Sequence, residues 1–212
     1  MSKIEELRDL MKRYEGINAC LYTPIVIDGN VLYEGNRKHS NQFRFDYIDV
    51  KDKIVCDLGC NNGYSSSRFA ENGAKRVIGI EKDPIIAKVA KLVADVKNLP
   101  NVEIFQGTYQ DYFDHRQHPE HNLEFDVVVF TSEQDYRGVC TVLDCAFNPD
   151  EYLINTKTWY IEPTNHPDHK LSKEEIKEWG ETELSKYGDV EFLTFTDYQN
   201  RGLFRINVNT NN

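Results

Sequence analysis

The sequence predicts an α/β fold: an open, mostly parallel sheet with helices on both faces and an antiparallel hairpin at its end. Three observations carry that expectation. Short β-branched runs alternate five times with stretches of helical periodicity, and strands joined through helices pair in parallel. The run FDVVVF at residues 125–130 is apolar at nearly every position, as in a strand covered on both faces. The last two β-type runs, residues 190–196 and 203–208, are separated only by a short polar turn containing glycine, the pattern of a hairpin.

Taken in order, the elements begin with a charged, helix-prone opening, MSKIEELRDLMKRYEG, without the apolar core of a secretory leader. Residues 1–45 are expected to form a lid or flank, and residues 46–212 the core of the same single domain. IVCDL at 54–58 is a short apolar strand that ends in a glycine-containing turn, and a helix is expected from Gly63 to about Asn72. RVIGIE at 76–81 is the second strand, followed by Pro84 at a first helical position. Ile85, Ile86, Val89, Ala90, Val93 and Val96 then recur at helical spacing, as on a helix packed against a sheet. A strand at 102–105 precedes a polar, aromatic-rich segment with no clear periodicity. After FDVVVF come a helix near 136–147, a strand at 152–155, and a helix at 172–187 with Ser172 as its cap and Glu174 and Glu175 in its first turn.

Composition narrows the function classes. A chain of 212 residues, 40% hydrophobic and 28% charged, suits one globular domain that buries a real core. No apolar run approaches the ~18 residues that a membrane span requires. The five cysteines (Cys20, Cys56, Cys60, Cys140, Cys145) are odd in number and lack paired CxxC spacing, so neither a disulfide framework nor a zinc site is expected. A reducing, cytoplasmic setting follows, with no metal and no membrane partner. The net charge of −10 opposes a polyanion and favours a small-molecule or protein partner over RNA. A loose basic group at Arg37, Lys38 and Arg44 is either a local counterweight to that charge or a solvated surface.

The chemistry concentrates in the first strand-to-helix turn, Val55-Cys56-Asp57-Leu58-Gly59-Cys60-Asn61-Asn62-Gly63-Tyr64. In an open parallel sheet, ligands bind beyond the carboxyl ends of the strands, where strand order reverses. Gly59 lets the backbone turn sharply, and Gly63 lets the next helix pack close to the strand. A buried carboxylate at Asp57 is costly unless it binds a cationic ligand or backbone amides. Glu81 ends the second strand at the offset where an acidic side chain reaches a ribose; capping the helix that begins at Pro84 is its alternative role. Together these four residues point to a nucleoside. A dinucleotide fingerprint would need glycine at positions 59, 61 and 64, which hold Gly59, Asn61 and Tyr64, so that ligand is excluded on spacing.

VCDLGCNNGYSS resembles the first motif of class I S-adenosylmethionine-dependent methyltransferases, and VIGIEKDP resembles their second. The resemblance runs from about Phe43 to the C-terminus and implies a Rossmann-like, seven-stranded sheet with a terminal antiparallel hairpin. It implies that Asp57, Gly59, Asn61 and Gly63 line the methionine part of S-adenosylmethionine and that Glu81 holds its ribose. Cys60, Tyr64, Lys82, Thr131 and Ser132 complete the implied cofactor-binding set. Two positions depart from the pattern: Asn61 stands where many members have glycine, and Thr108 follows Gly107 where an aspartate often contacts the adenine amine. Thr108 and Tyr109 can still frame the adenine; ordinary packing is the other reading of the Tyr109 ring. The stretch FRFDYIDVKDKIVCDLGCNNGY is also similar to tRNA wobble-uridine carboxymethyltransferases, which implies that Arg44 pairs with the cofactor's carboxylate; a surface salt bridge is the alternative.

Acceptor-facing groups in such enzymes follow the fourth strand, which here reads Thr131-Ser132-Glu133-Gln134-Asp135-Tyr136. The Asn/Asp-Pro-Pro-Tyr/Phe motif of enzymes that methylate amide or nucleobase amines is absent. Glu133 is a candidate general base or a group that orients an amine or hydroxyl acceptor; Asp135 and Tyr136 share those possibilities, and capping the next helix is the other reading of Asp135. Trp159, Tyr160, His166 and His169 are expected in a loop after the fifth strand; the histidines are either proton acceptors or solvated side chains. A Lys-Asp-Lys-Glu set, as in ribose-methylating RNA enzymes, is only hinted at by Lys38 and Lys157. Three functions stay open: methylation of a small molecule or protein, methylation or carboxymethylation of tRNA, and non-catalytic binding of S-adenosylmethionine.

Overall fold

The computed structural model describes residues 2–13, 21–35, 43–114, 124–135, 156–165, 170–196 and 199–208. Its centre is a seven-stranded sheet of order β5-β4-β3-β6-β7-β9-β8. The strands are β3 (Ile54–Leu58), β4 (Arg76–Glu81), β5 (Val102–Gln106), β6 (Val127–Asp135), β7 (Thr158–Thr164), β8 (Gly188–Phe195) and β9 (Gly202–Val208). From β5 across to β7 every pairing is parallel, and β9 runs antiparallel to both β7 and β8. The expected parallel sheet with a terminal hairpin is therefore present. The chain lays down β3, β4 and β5 in one direction and then returns to place β6 on the other side of β3. That reversal lies at the carboxyl ends of β3 and β6, the place where open parallel sheets bind ligands.

The alternation of side chains along each strand divides the core. Cys56, Leu58, Ile78, Ile80, Val128, Phe130, Trp159 and Ile161 face α4 (Tyr109–Asp114) and α5 (Lys173–Glu183), beneath Tyr112, Phe113 and Ile176. Val55, Val77, Val127, Val129 and Tyr160 face the other way, toward Phe69 of α2 (Tyr64–Glu71) and Phe45 of a 3₁₀ turn, Phe43–Asp46. Asp83 caps α3 (Pro84–Val96) by accepting hydrogen bonds from the Ile85 and Ile86 amides at 2.8 and 3.0 Å, with Pro84 at the first position. The capping role therefore belongs to Asp83 and leaves Glu81 free of it. Helix α5 begins with a capping box between Ser172 and Glu175.

The N-terminal segment packs on α3 rather than on the sheet. Leu7 and Leu10 of α1 (Lys3–Arg13), with Leu21, Ile25 and Ile27, bury against Ile86, Val89, Leu92 and Val93. Ile25 and Ile27 belong to β1 (Ile25–Ile27), which forms a separate antiparallel pair with β2 (Asn30–Tyr33).

Two expectations are corrected. The strand expected at residues 152–155 lies outside the described residues; the strand beside β6 is Thr158–Thr164, so Trp159 and Tyr160 are buried strand residues and not loop residues. Pro163 suggested a loop, yet it falls beyond Ile161, the last residue paired with β9, and beside an irregularity in the β6–β7 ladder. A proline is tolerated where the ladder is already interrupted. Strand β6 also continues past Phe130 to Asp135, so Ser132 and Glu133 lie within the strand and not after it. The helix expected near 136–147 lies outside the described residues.

Candidate active site

Register explains why the acidic residues meet. Asp57 of β3 pairs with Gly79 of β4 and Val129 of β6. Side chains two residues apart on a strand share a face, so Glu81 stands on Asp57's face one pleat nearer the carboxyl end. By the same count Thr131, paired with Glu162 of β7, brings Glu162 to that face. Three carboxylates thus line the α2 side of the sheet where strand order reverses.

Asp57 is buried, and its Oδ2 accepts a 2.6 Å hydrogen bond from the Ser66 hydroxyl of α2. Burial pushes its carboxyl up to about 6; the Ser66 bond and the positive charge of Arg44 oppose that rise, and Glu81 adds to it. Glu81 accepts the Asn61 amide on Oε2 at 3.1 Å and the Asp83 amide on Oε1 at 2.9 Å. Burial raises its pKa too, against the pull of these two bonds. It therefore clamps the glycine turn to the end of β4.

The turn itself is built from left-handed residues: Gly59 at φ 69°, Asn61 at φ 50° and Gly63 at φ 76°. Asparagine is among the few side-chain-bearing residues that occupy this region at low cost. Asn61 thus meets the same backbone requirement as the glycine it replaces. Gly63 has a second duty, because a Cβ there would lie 3.2 Å from the Ala90 Cβ of α3. Cys60 is a free, buried thiol whose pKa burial drives well above the usual range. Tyr64 opens α2 half-buried, edge-on to Phe45 at 5.9 Å.

The remaining expected residues separate. Lys82 is exposed beside Glu81, and Thr131 is partly buried on β6. The Gly107 amide donates to the Glu81 carbonyl at 3.0 Å, which brings Thr108 and Tyr109 beside the turn. Thr108 is taken up in a reciprocal cap of α4: its amide and hydroxyl donate to Asp111 Oδ2 at 2.8 and 2.7 Å, and its Oγ1 accepts the Asp111 amide at 3.1 Å. The Tyr109 ring packs against Phe130, with centroids 6.5 Å apart. Arg44 makes no surface salt bridge; it is buried and donates to Glu162 Oε2 at 3.0 Å. Lys157 is excluded from the site, since it pairs with Asp126 at 2.9 Å ahead of β6 and β7, at the opposite end of the sheet from Glu133. Tyr136, His166, His169 and Lys38 lie outside the described residues.

Sequence reasoning missed four contributors. Asn62 is buried and accepts the Thr23 hydroxyl on Oδ1 at 2.7 Å while its Nδ2 donates to the Thr23 carbonyl at 2.7 Å. Gly79 leaves the room that Cys60 and Ser66 occupy, because a Cβ would sit 2.8 Å from Cys60 Sγ and 2.9 Å from Ser66 Oγ. Glu162 and Arg201 are both buried, with Arg201 Nη1 3.6 Å from Glu162 Oε1. A glutamate inside the apolar run TWYIEPT was the available signal, since unpaired acids avoid such runs.

A family model for the methyltransferase domain matches residues 49–177, more than half of the chain. The chain belongs to the class I S-adenosylmethionine-dependent methyltransferases. The methyltransferase is similar to the N-terminal domain of EvdMO1, solved in the presence of SAH and D-fucose: TM-score 0.62 and 13% identity, over 99% of this chain and 98% of that one. At that identity the likeness concerns the fold. Among curated proteins, a tRNA U34 carboxymethyltransferase from Aliarcobacter butzleri is 49% identical over 39 residues, 18% of this chain and 13% of that protein. Protein arginine N-methyltransferase 1 from Chlamydomonas reinhardtii is 41% identical over 61 residues, 29% of this chain and 18% of that protein. The methyltransferase therefore spans a minor part of these relatives, and their names point to different acceptors. Among the described residues no helix is long and apolar enough to cross a membrane. No group of three or more His, Cys, Asp or Glu among them could hold a metal ion.

Proposed function

We propose that this methyltransferase holds the amino-acid end of S-adenosylmethionine near Asp57 and its ribose at Glu81, and methylates a small-molecule or protein acceptor. One observation carries the reading: two buried carboxylates share a sheet face at the point of strand reversal, beneath a turn opened by three left-handed residues. The donor set fits the ligand, because carboxylates suit an ammonium group and ribose hydroxyls while the turn admits close approach of a backbone. S-adenosylmethionine supplies an activated methyl group on a sulfonium when bound, so the protein's main task is alignment. Gly59, Cys60, Asn61, Gly63 and Tyr64 shape the turn, Lys82, Thr108 and Tyr109 border the nucleoside, and Thr131 and Ser132 border the far wall. Glu133 removes a proton from the acceptor or orients it, a role for which Tyr136 is the second candidate. Residues 1–45 act as a flank of the cofactor site within one domain, a role supported by the Thr23–Asn62 contact. A cytoplasmic, reducing setting agrees with the free thiols of Cys56 and Cys60.

The test is calorimetry with S-adenosylmethionine and S-adenosylhomocysteine, followed by transfer of labelled methyl to small-molecule, protein and tRNA pools. Binding with label in the first two pools is expected. Label in tRNA would replace this acceptor class with the one suggested by the Aliarcobacter butzleri relative, and binding without transfer to any pool would leave a cofactor-binding module. Glu133→Gln is expected to lower turnover by ~10²–10⁴-fold with cofactor affinity retained. Unchanged turnover would remove the base role.

A further inference from the structure

Strand order fixes the direction in which the cofactor lies. The glycine turn follows β3, Glu81 ends β4 and Gly107 follows β5, and these three strands stand side by side in that order. Neighbouring strand ends are ~4.8 Å apart. With the amino-acid end near Asp57 and the ribose at Glu81, the base therefore extends over the carboxyl end of β5. Two links hold that end against β4: Gln106 is the register partner of Glu81, and the Gly107 amide donates to the Glu81 carbonyl at 3.0 Å. Thr108 comes next, and it is exposed. Its hydroxyl donates to Asp111 Oδ2 at 2.7 Å and accepts the Asp111 amide at 3.1 Å, while its own amide also reaches Oδ2, at 2.8 Å. Gly107 leaves room for this pair, because a Cβ there would stand 3.3 Å from both the Cβ and the Oδ2 of Asp111.

A hydroxyl is ordinarily indifferent to what it meets, since it donates one hydrogen and accepts through two lone pairs. The Thr108 hydroxyl has lost that freedom. A carboxylate cannot donate and a backbone N–H cannot accept, so the direction of both Asp111 bonds is forced: the hydrogen goes to Oδ2 and one lone pair to the amide. What the hydroxyl presents outward is its second lone pair, an acceptor and not a donor. Gln106 is exposed as well, but an amide rotates to offer oxygen or nitrogen and so cannot choose between an amine and a carbonyl. We propose that Thr108 and Asp111 are a base-selecting pair: Asp111 holds the Thr108 hydroxyl as an acceptor for the exocyclic amine of the cofactor's adenine, and so turns it against a base that carries a carbonyl in that place. Thr108 makes the contact and Asp111 positions it, on the reading that sets the ribose at Glu81.

Calorimetry on the full chain compares S-adenosylhomocysteine with S-inosylhomocysteine, whose base carries a carbonyl in place of the amine, and reads the selection as a ratio of affinities. The wild type is expected to favour the adenine ligand by roughly tenfold. Asp111→Ala frees the hydroxyl to donate and Thr108→Val removes it, and in both variants the ratio falls toward one. Thr108→Ser keeps the hydroxyl and is expected to keep the wild-type ratio. Mere loosening of α4 would weaken both ligands together and leave the ratio where it was. An unchanged ratio in Asp111→Ala or in Thr108→Val therefore overturns the proposal, as does a wild type without preference. Glu81→Gln isolates the reading beneath it, since both ligands are expected to weaken alike in that variant with their ratio kept. Undiminished binding of both would sink the ribose placement, while a ratio that still collapses in Asp111→Ala would uphold the pair.

Discussion

Under the proposed function, Asp57 gives up stability for a binding role. Its folded pKa of about 6 exceeds its ordinary value of 3.8, so between roughly pH 4 and 6 the folded chain binds more protons than the unfolded one. Stability therefore falls as pH rises through that window, and above it the buried charge costs on the order of 3 kcal/mol. Asp57→Asn removes the charge and keeps an oxygen for the Ser66 hydroxyl. The variant is expected to melt several degrees above the wild type at pH 7.5, to match it near pH 4, and to lose cofactor binding; a lower melting temperature at pH 7.5 would refute the account. Asp57 and Glu81 were legible in the sequence because each lies at or next to the end of a short apolar strand, where an acid has no local reason to be. Glu162, Arg201 and Asn62 were not. The Arg44–Glu162 bond joins residues 118 positions apart, and local periodicity carries no information about such a partner. Arg44 was singled out, yet its buried partner overturned the surface pairing held open for it.

At the scale of elements, β3, β4, α3 and the terminal hairpin were legible because period-two and period-3.6 patterns are strongest where one face is buried. The boundaries failed where polar residues lie inside strands: Thr131–Ser132–Glu133 extends β6, and Glu162–Pro163 lies within β7. Polar residues there continue the strand rather than ending it. The turn between β3 and α2 makes its own prediction, since Asn61 and Gly63 hold the same backbone conformation for different reasons. Asn61→Gly keeps a residue suited to positive φ and is expected to change cofactor affinity by less than threefold. Gly63→Ala adds the left-handed cost of roughly 1–2 kcal/mol and presses on Ala90 at 3.2 Å. A melting temperature lowered by several degrees and a weakened cofactor complex are expected. An alanine variant equal to wild type in both would mean that α3 yields more readily than its packing implies.

On the scale of the whole molecule, the N-terminal segment and the turn between β3 and α2 are mechanically one unit. Asn62 sits in the turn and grips Thr23 twice, through the hydroxyl and the carbonyl, while its Oδ1 also accepts the Tyr64 amide at 3.3 Å. The same segment is pressed onto α3 by Leu21, Ile25 and Ile27, and α3 starts two residues after Lys82, beside Glu81. A ligand that orders the turn must therefore order the β1–β2 pair as well, because local opening of the pair breaks the Asn62 bonds. Amide exchange in residues 25–33 is expected to slow when S-adenosylhomocysteine is added, although that segment lies outside the seven-stranded sheet. Asn62→Ala removes the grip at a cost of about 1–3 kcal/mol in unsatisfied groups. In that variant the ligand is expected to protect the turn at residues 59–64 without protecting residues 25–33. Equal protection of both regions in the variant would show that coupling runs through α3 alone, and would strip Asn62 of its place in the site.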